Sequence, residues 1–215
     1  MTDLYPLFYE LQKHLGEDAG DWPAQSKEEI VLGAILVQNT RWENVELTIQ
    51  NLRQAYPDGY KTLHLEEVEH IQELIRPSGF QKNKSRAIQS VMAFLSEHGF
   101  DYEDIRERYG ENLRDQLLQL FGVGQETADV LLLYVFDVPV FVADSYARRL
   151  FEAVGLGTYT NYQALRKAVG ELPFSLRQAQ QFHYYIDEFG KVAFAKGALF
   201  SDSALADFKL KTREA

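Results

Sequence analysis

Apolar side chains recur along most of this chain at intervals of three and four residues, the spacing that places them on one face of an α-helix. The alternation of apolar and polar residues that is typical of strands is nearly absent. The pattern predicts helices over residues 4–15, 26–37, 40–55, 65–75, 82–98, 101–109, 112–121, 127–133, 144–154, 161–170 and 175–189, and a weaker one over 202–211. The sequence therefore predicts an all-α fold.

Two segments have the Ser/Thr-x-x-Glu spacing of a capping box, in which the first and fourth side chains satisfy backbone N–H groups at a helix start. They are Ser26–Glu29 and Thr40–Glu43. We expect the first to open a buried helix and the second to open the helix that runs to Ala55.

Gly122-Val123-Gly124 separates the predicted helices 112–121 and 127–133. Glycine is common just past a helix end, and two helices joined by such a turn form a helix–hairpin–helix. Glycines let a phosphate approach the backbone, and the N–H groups of the second helix's first turn can hold an anion. A short apolar segment follows, and Asp144 then opens another helix.

The composition limits the classes of protein that are possible. The 215 residues are 46% hydrophobic and contain no run long enough to span a membrane, and Met1–Leu4 does not have the pattern of a secretory signal, so we expect a cytoplasmic protein. There is no cysteine, which excludes disulfides and cysteine-ligated metal or iron–sulfur sites. The five histidines show no metal-binding spacing, so no metal site is predicted.

The formal net charge of −10 opposes the basic surface that is usual in DNA-binding proteins. DNA binding would require the positive groups to be concentrated on one face. Two groups are candidates: Lys82, Lys84 and Arg86, and Lys191, Lys196, Lys209, Lys211 and Arg213. Scattered, solvated charges are an equally consistent interpretation.

The run Leu120-x-Gly-Val-Gly-x-x-Thr-Ala-Asp129, followed by Val142-x-Asp144, resembles the signature of the helix–hairpin–helix DNA glycosylases, the endonuclease III superfamily. The likeness extends from about residue 30 to about residue 207. It implies a DNA-binding hairpin, with Gly122, Val123, Gly124, Gln125 and Thr127 at the phosphate. The charge pattern adds Lys82 and Lys84 as further expected contacts with DNA. In this family a cation sometimes bridges the hairpin to a phosphate, and the sequence does not decide whether one does here.

The resemblance also implies two helical domains with the active site in the cleft between them. A six-helix, barrel-like domain would span residues 26–138 and end in the hairpin. Residues 1–25 and 139–215 would form the second domain. We expect the protein to act as a monomer on double-stranded DNA that contains a damaged base.

Asp144 matches the catalytic aspartate of the family. Hydrolysis of an N-glycosidic bond passes through an oxocarbenium-like transition state, which an ionised carboxylate stabilises while orienting an attacking water. An ordinary N-cap is the alternative interpretation, since aspartate commonly opens a helix.

Glu126 occupies the position where bifunctional relatives have the lysine that forms a Schiff base. Without an amine there, covalent catalysis is not available, and we expect a monofunctional glycosylase. Glutamate at this position resembles the branch of the 3-methyladenine DNA glycosylases III. A glutamate beside the pocket would favour a cationic base in it. The alternative interpretation is that Glu126 only complements the positive end of the helix dipole.

Gln38 to Trp42 lies where the family places the residue that fills the vacated base position, followed by residues of the base pocket. Gln38 is the candidate for the first role. Trp42 would stack on an extruded cationic purine, and Trp22 would form a second wall. A core aromatic is an equally plausible interpretation of Trp42.

The C-terminal region resembles the one that leads to the iron–sulfur loop of endonuclease III. The cysteine positions of that loop fall on Phe194, Ser201, Ala204 and Leu210, which cannot hold a cluster. We expect apolar packing of Phe194, Phe200, Leu205 and Phe208 in its place. Lys191 matches a pocket lysine of the cluster-free branch, although a surface lysine is as plausible.

These features predict a base-excision glycosylase that flips a damaged nucleotide out of the duplex and removes an N-alkylated purine such as 3-methyladenine. Two alternatives stay open. One is a glycosylase for mismatched or oxidised bases, and the other is a non-catalytic DNA-binding protein that keeps only the hairpin.

Overall fold

The structure is a computed structural model that describes residues 3–17 and 20–210. All regular secondary structure in these ranges is helical, and the predicted all-α fold is confirmed. The α-helices are α1 (Tyr5–Leu15), α2 (Lys27–Leu36), α3 (Trp42–Ala55), α4 (Val68–Leu74), α5 (Gln81–Glu97), α6 (Tyr102–Tyr109), α7 (Leu113–Gln119), α8 (Gln125–Tyr134), α9 (Ser145–Ala153), α10 (Tyr162–Val169) and α11 (Leu176–Ala193). None of the helices in the described ranges is both long and apolar enough to cross a bilayer.

Contacts between Cα atoms group the chain into two compact units. One is Trp22–Asp137, which holds α2 to α8. The other combines the residues up to Asp21 with those from Val138 onward, and it holds α1 and α9 to α11. The predicted domains 26–138 and 1–25 plus 139–215 stay a prediction, as does an active site in a cleft between them.

Helix α2 is the centre of the 22–137 unit. It is apolar on every side, as a helix enclosed by others must be, and its residues from Val31 to Leu36 are all buried. It packs against α3, α5 and α8. Ser26 caps it by accepting a hydrogen bond from the Glu29 N–H at 3.2 Å. The segment after α2, which includes Gln38, is therefore positioned by the core.

An aromatic core organises the other unit, in which α11 packs against both α1 and α9. Phe8, Phe182 and Tyr185 are almost completely buried, and Phe174 packs on Phe8 with 5.2 Å between ring centroids. A reciprocal capping box between Ser175 and Gln178, which the sequence pattern did not reveal, starts α11. These contacts fix the position of α11 against α1.

Two predictions about helix starts need correction. Helix α3 begins after Arg41 with no side-chain cap, and the Thr40 hydroxyl instead accepts a hydrogen bond from the Asn44 amide at 3.0 Å. At the Ser26–Glu29 segment the serine caps as predicted. The Glu29 carboxylate accepts from the N–H of Gln25, outside the cap, because Glu29 also pairs with other side chains.

The predicted final helix, 202–211, is not present over residues 202–210. A 3-10 turn at Phe200–Asp202 is followed by turns and extended chain. Leu205 and Leu210 are both buried, and the Leu210 N–H donates to the Val154 carbonyl at 3.1 Å, which anchors the chain in a non-helical path. Lys211 and Arg213 of the second basic group lie outside the described residues.

Candidate active site

The predicted helix–hairpin–helix is formed by α7 and α8. Gly122 has a φ of +77°, a left-handed conformation that glycine adopts without strain. Gly124 is the N-cap of α8 and supplies no side-chain cap, and the first residues of α8, Gln125 and Glu126, are exposed. An exposed helix N-terminus with several N–H groups outside the helical ladder suits an anion such as a phosphate.

The hairpin packs closely on α5. A Cβ added at Gly122 would lie 2.5 Å from the Cβ of Ala87, so no larger residue fits there. The Phe121 N–H donates to the Ser90 hydroxyl at 3.0 Å, and the Arg86 guanidinium lies 4.0 Å from the centroid of the Phe121 ring. This cation–π contact holds the charge of Arg86 beside the glycines.

Gln38 is tied to the same hairpin. Its side-chain amide donates to the Gly122 carbonyl at 3.2 Å and to the Thr127 hydroxyl at 2.9 Å. The structure thus brings together Gln38 and the glycine turn, which are more than eighty residues apart in sequence. The predicted role of Gln38 in filling the vacated base position stays a prediction.

The two lysines at the start of α5 have opposite environments. Lys82 is exposed, whereas Lys84 is only 2% exposed, and its ammonium donates to the carbonyls of Leu36 at 2.8 Å and Ser78 at 2.7 Å. Burial lowers the pKa of Lys84 to about 8. The prediction that Lys84 contacts DNA is therefore wrong, because its donors bind interior carbonyls. Arg86 faces outward and is the better-placed cation.

Trp22 and Trp42 meet edge to face, with ring centroids 5.7 Å apart and an interplanar angle of 77°. Both line a cavity of about 310 Å³, a volume within the usual range for small-ligand sites. The Trp22 indole lies over Gly33, where an added Cβ would be 3.0 Å from its Nε1 atom. The remaining lining residues are Pro23, Ala24, Glu29, Glu46, Ile49, Gln50 and Arg53.

The cavity has an excess of negative charge. The Glu29 carboxylate is buried and accepts two hydrogen bonds from one edge of the Arg53 guanidinium, from Nε at 2.7 Å and from Nη2 at 2.8 Å. These hydrogen bonds, with those from Gln25 and Tyr60, lower the pKa of Glu29 to about 2. Glu46 accepts a hydrogen bond from the Trp42 indole N–H at 3.1 Å. Because Arg53 offsets the charge of Glu29, the Glu46 carboxylate accounts for the net negative charge of the cavity lining.

Asp144 is the N-cap of α9. Its Oδ1 atom accepts the Ala147 N–H at 2.7 Å, and the residue is 8% exposed. The Oδ2 atom lies 3.9 Å from Nε2 of His183. A helix cap uses one carboxylate oxygen, so the capping geometry and a chemical role for the second oxygen are compatible.

The other two predicted pocket residues do not line the cavity between the tryptophans. Glu126 is exposed in the first turn of α8, where a carboxylate complements the helix dipole. Lys191 is ion-paired with Asp187 at 2.7 Å and Glu188 at 2.6 Å on its own helix. Burial lowers its pKa, and these two hydrogen bonds raise it by more. Their assignment to a base pocket stays a prediction.

The structure also draws attention to Phe80, which sequence reasoning missed. Its side chain is 63% exposed, and its backbone has a left-handed φ of +51° directly after Gly79. A strained backbone at an exposed aromatic residue is a feature that often marks a functional position. The available signal was an aromatic residue in the Pro-Ser-Gly-Phe turn, outside the helical pattern.

The C-terminal region does not fit an iron–sulfur cluster, because the sequence has no cysteine. The Phe194 ring stacks on Phe200, with 6.0 Å between centroids, and both pack edge-on against Phe189. No group of three or more potential ligands that could hold a metal ion occurs in the part of the chain that the structure describes. Aromatic packing occupies the region where the resemblance places the cluster.

A glycine-rich turn between two helices, followed by an aspartate that caps a third, defines a helix–hairpin–helix protein. Residues 32–172 match the HhH-GPD superfamily of base excision DNA repair proteins. This chain belongs to that superfamily, which confirms the resemblance drawn from the sequence.

Two relatives are similar over nearly their whole length. MJ1434 of Methanocaldococcus jannaschii, an inferred DNA repair glycosylase, is 34% identical over 96% of this chain and 97% of its own. The 3-methyladenine DNA glycosylase MagIII of H. pylori, solved with 1,N6-ethenoadenine, is 28% identical with a TM-score of 0.73, over 88% of this chain and 97% of its own. An endonuclease III–DNA complex shares the fold, with a TM-score of 0.75 at 20% identity over 96% of this chain and 93% of its own.

Proposed function

We propose that this protein is a monofunctional DNA glycosylase that removes an N-alkylated purine such as 3-methyladenine from duplex DNA. The main support is the geometry of Asp144. It is the N-cap of α9, with Oδ1 bonded to the helix backbone and Oδ2 on the side of His183. Membership of the superfamily indicates base excision as the class of reaction. The residues of this chain support the finer proposal of a monofunctional enzyme that acts on alkylated purines.

The chemistry assigned to Asp144 is stabilisation of positive charge on the deoxyribose. The bond between C1′ and the base nitrogen breaks, and its electron pair leaves with the base, so that a cationic alkylated purine departs as a neutral molecule. The carboxylate stabilises the oxocarbenium-like sugar and orients a water molecule. The water oxygen bonds to C1′, and its proton passes to the carboxylate and then to solvent.

The substrate class is supported by the cavity at Trp22 and Trp42. Indole faces attract a cation, and Glu46 adds a negative charge at the wall. A normal, neutral base gains neither contribution and is also a poorer leaving group. The similar H. pylori protein is named for 3-methyladenine and was solved with a purine derivative, which agrees with this assignment.

The hairpin is assigned to the DNA backbone. The exposed N–H groups around Gly124 and Gln125 would hold a phosphate, with Arg86 and Lys82 providing positive charge in an otherwise acidic chain. Gln38 would enter the space left by the flipped nucleotide, and the exposed Phe80 ring would contact the base stack. Glu126, where a lyase would need an amine, leaves the abasic strand uncut.

The test is base release from DNA treated with a methylating agent, with the freed base identified by chromatography. Wild-type protein should release 3-methyladenine, whereas Asp144→Asn should release none and still bind duplex containing an abasic-site analogue. Asp202→Asn, which alters an exposed aspartate of the C-terminal 3-10 turn, is the matched control and should keep full activity.

Three results would contradict the proposal. Turnover by Asp144→Asn would remove this residue from the mechanism. Release of mismatched or oxidised bases from a lesion panel, without release of alkylpurines, would change the substrate class. Tight DNA binding with no base released from any lesion would indicate a non-catalytic binding protein.

A further inference from the structure

His183 lies midway along α11, on the side that packs against the start of α9. Its Nε2 atom is 3.9 Å from Oδ2 of Asp144, and the exposed fractions of the two side chains are 15% and 11%. Both residues belong to the same compact unit, and the capping box at Ser175 and Gln178 fixes the start of the helix that carries the histidine. The pair is therefore largely buried within this unit.

The two oxygens of Asp144 have different surroundings. Oδ1 accepts the Ala147 N–H at 2.7 Å, which is the complete requirement of an N-cap. Helix initiation gives no reason for an imidazole beside Oδ2. An apolar residue at position 183 would fill the same space without the cost of burying polar nitrogens.

The imidazole of His183 is neutral at pH 7. Burial lowers its pKa to about 4; among its charged neighbours, Asp187 raises this pKa and Lys191 lowers it further. The charged groups near it include Asp144 from α9 and Asp187 and Lys191 from its own helix. A neutral imidazole has one N–H donor and one acceptor nitrogen, so it can orient a carboxylate without neutralising its charge.

We propose that His183 is a positioning residue for Asp144, donating a hydrogen bond from Nε2–H to Oδ2 that shortens when the damaged nucleotide binds. This inference rests on the proposed function, in which Asp144 is the catalytic carboxylate. Hydrogen bonds of catalytic groups are often long in a free enzyme and tighten in the substrate complex, which accounts for the 3.9 Å separation. The bond would keep the charged oxygen directed at the sugar while the cap holds the other.

Two substitutions separate orientation from space filling. His183→Gln keeps a neutral N–H donor, and His183→Phe keeps the ring volume without a donor. The measurement is the single-turnover rate of base release from methylated duplex at saturating enzyme, together with the Kd for a duplex that contains an abasic-site analogue. Tyr184→Phe, one residue along α11, is the control for general perturbation of the helix.

The Phe variant should lose about 10- to 100-fold in rate, as expected when a catalytic group is misplaced by an ångström or less. Its Kd and Tm should stay close to those of the wild type, and the Gln variant should recover most of the rate. Equal losses in the Phe and Gln variants, or no loss in either, would overturn the inference.

A second readout does not depend on activity. The ring ¹⁵N chemical shifts of His183 report which nitrogen carries the proton, and the inference requires the tautomer protonated at Nε2. The opposite tautomer would overturn it even in a fully active enzyme. If the wild-type protein released no base, the proposed function would fail, and the tautomer would still decide whether His183 donates to Asp144.

Discussion

Gly122 lies so close to Ala87 that a methyl group on the hairpin glycine would be 2.5 Å from the Ala87 side chain. Gly124, two residues later, has open space where a Cβ would be added and a φ outside the left-handed region. Only the first glycine of the Gly-Val-Gly turn is therefore required by its surroundings in the structure. Packing requires the first, and close approach of a ligand would explain the second.

Substitution of each glycine by alanine should separate these reasons. Gly122→Ala combines a clash with a left-handed backbone, and we expect it to destabilise the fold by about 1–3 kcal/mol. Gly124→Ala should leave the Tm nearly unchanged but weaken binding to duplex DNA, because its methyl group would occupy the place of a phosphate. Thermal unfolding and a DNA-binding titration give the two readouts. Unchanged DNA binding by Gly124→Ala would argue against a phosphate at the hairpin.

Trp42→Ala should impair release of cationic lesions more than binding to an abasic-site duplex, which has no base to stack. The expected loss in kcat/KM is about 2- to 30-fold, corresponding to a cation–π contribution of about 0.5–2 kcal/mol. Glu46→Gln should lower the preference for cationic over neutral lesions while keeping an acceptor for the indole N–H. Glu43→Gln, on the same helix but not at the cavity, is the control. Equal losses of base release and of abasic-site binding in Trp42→Ala would make Trp42 structural.

Borohydride should trap no covalent complex between this protein and DNA, because Glu126 provides no amine for a Schiff base. Endonuclease III, of which a trapped covalent DNA intermediate is known, is the positive control under the same conditions. A trapped adduct in this protein would overturn the monofunctional assignment, and its peptide map would identify the attacking residue.

Arg53→Met should destabilise the 22–137 unit by roughly 3 kcal/mol, the lower end of the cost of breaking a buried ion pair, because Arg53 itself is partly exposed. The substitution leaves the Glu29 carboxylate buried without its cation, and Arg53→Met combined with Glu29→Gln should recover much of the loss. Chemical denaturation at pH 7 measures both variants. A combined variant as unstable as Arg53→Met alone would show that Arg53 contributes mainly by packing.

The same ion pair predicts a pH dependence. The pKa of Glu29 is about 2 in the folded protein and near 4.5 without these contacts, so the unfolded chain binds more protons between these values. The stabilisation is complete above about pH 4.5 and is lost as the pH falls towards 2. In Arg53→Met this part of the acid dependence should be reduced.

The helical elements follow closely from the sequence because their apolar spacing decides them locally. The Gly-Val-Gly turn and the N-cap at Asp144 are equally local, and both were predicted at the correct positions. The predicted cap at Thr40 was wrong because α3 starts one residue later, and the Thr40 hydroxyl accepts a hydrogen bond from the Asn44 side chain instead. The prediction of a final helix was wrong because two buried leucines and a hydrogen bond to Val154 outweigh the weak helical propensity of this segment.

The side-chain chemistry was less predictable, since it depends on partners that are distant in sequence. Lys82 and Lys84 are the same type of residue in the same basic cluster, so their charge did not distinguish them. They lie on different faces of α5, and only Lys84 is buried, with its ammonium bonded to the carbonyl of Leu36. No role was predicted for the histidines, and no local signal shows that His183 faces Asp144, which is far from it in sequence. Periodicity predicts which face of a helix is buried but does not identify the residue it meets.

The stacked rings of Phe194 and Phe200 fill, with protein alone, the region where the resemblance places an iron–sulfur cluster. A segment that is completed by aromatic side chains folds from the polypeptide alone. It needs neither iron delivery nor an assembly pathway for a cofactor. Oxidants and chelators that act on an iron–sulfur cluster have no such target here, because the chain has no cysteine to hold one. We expect the folding of this segment to be independent of iron supply.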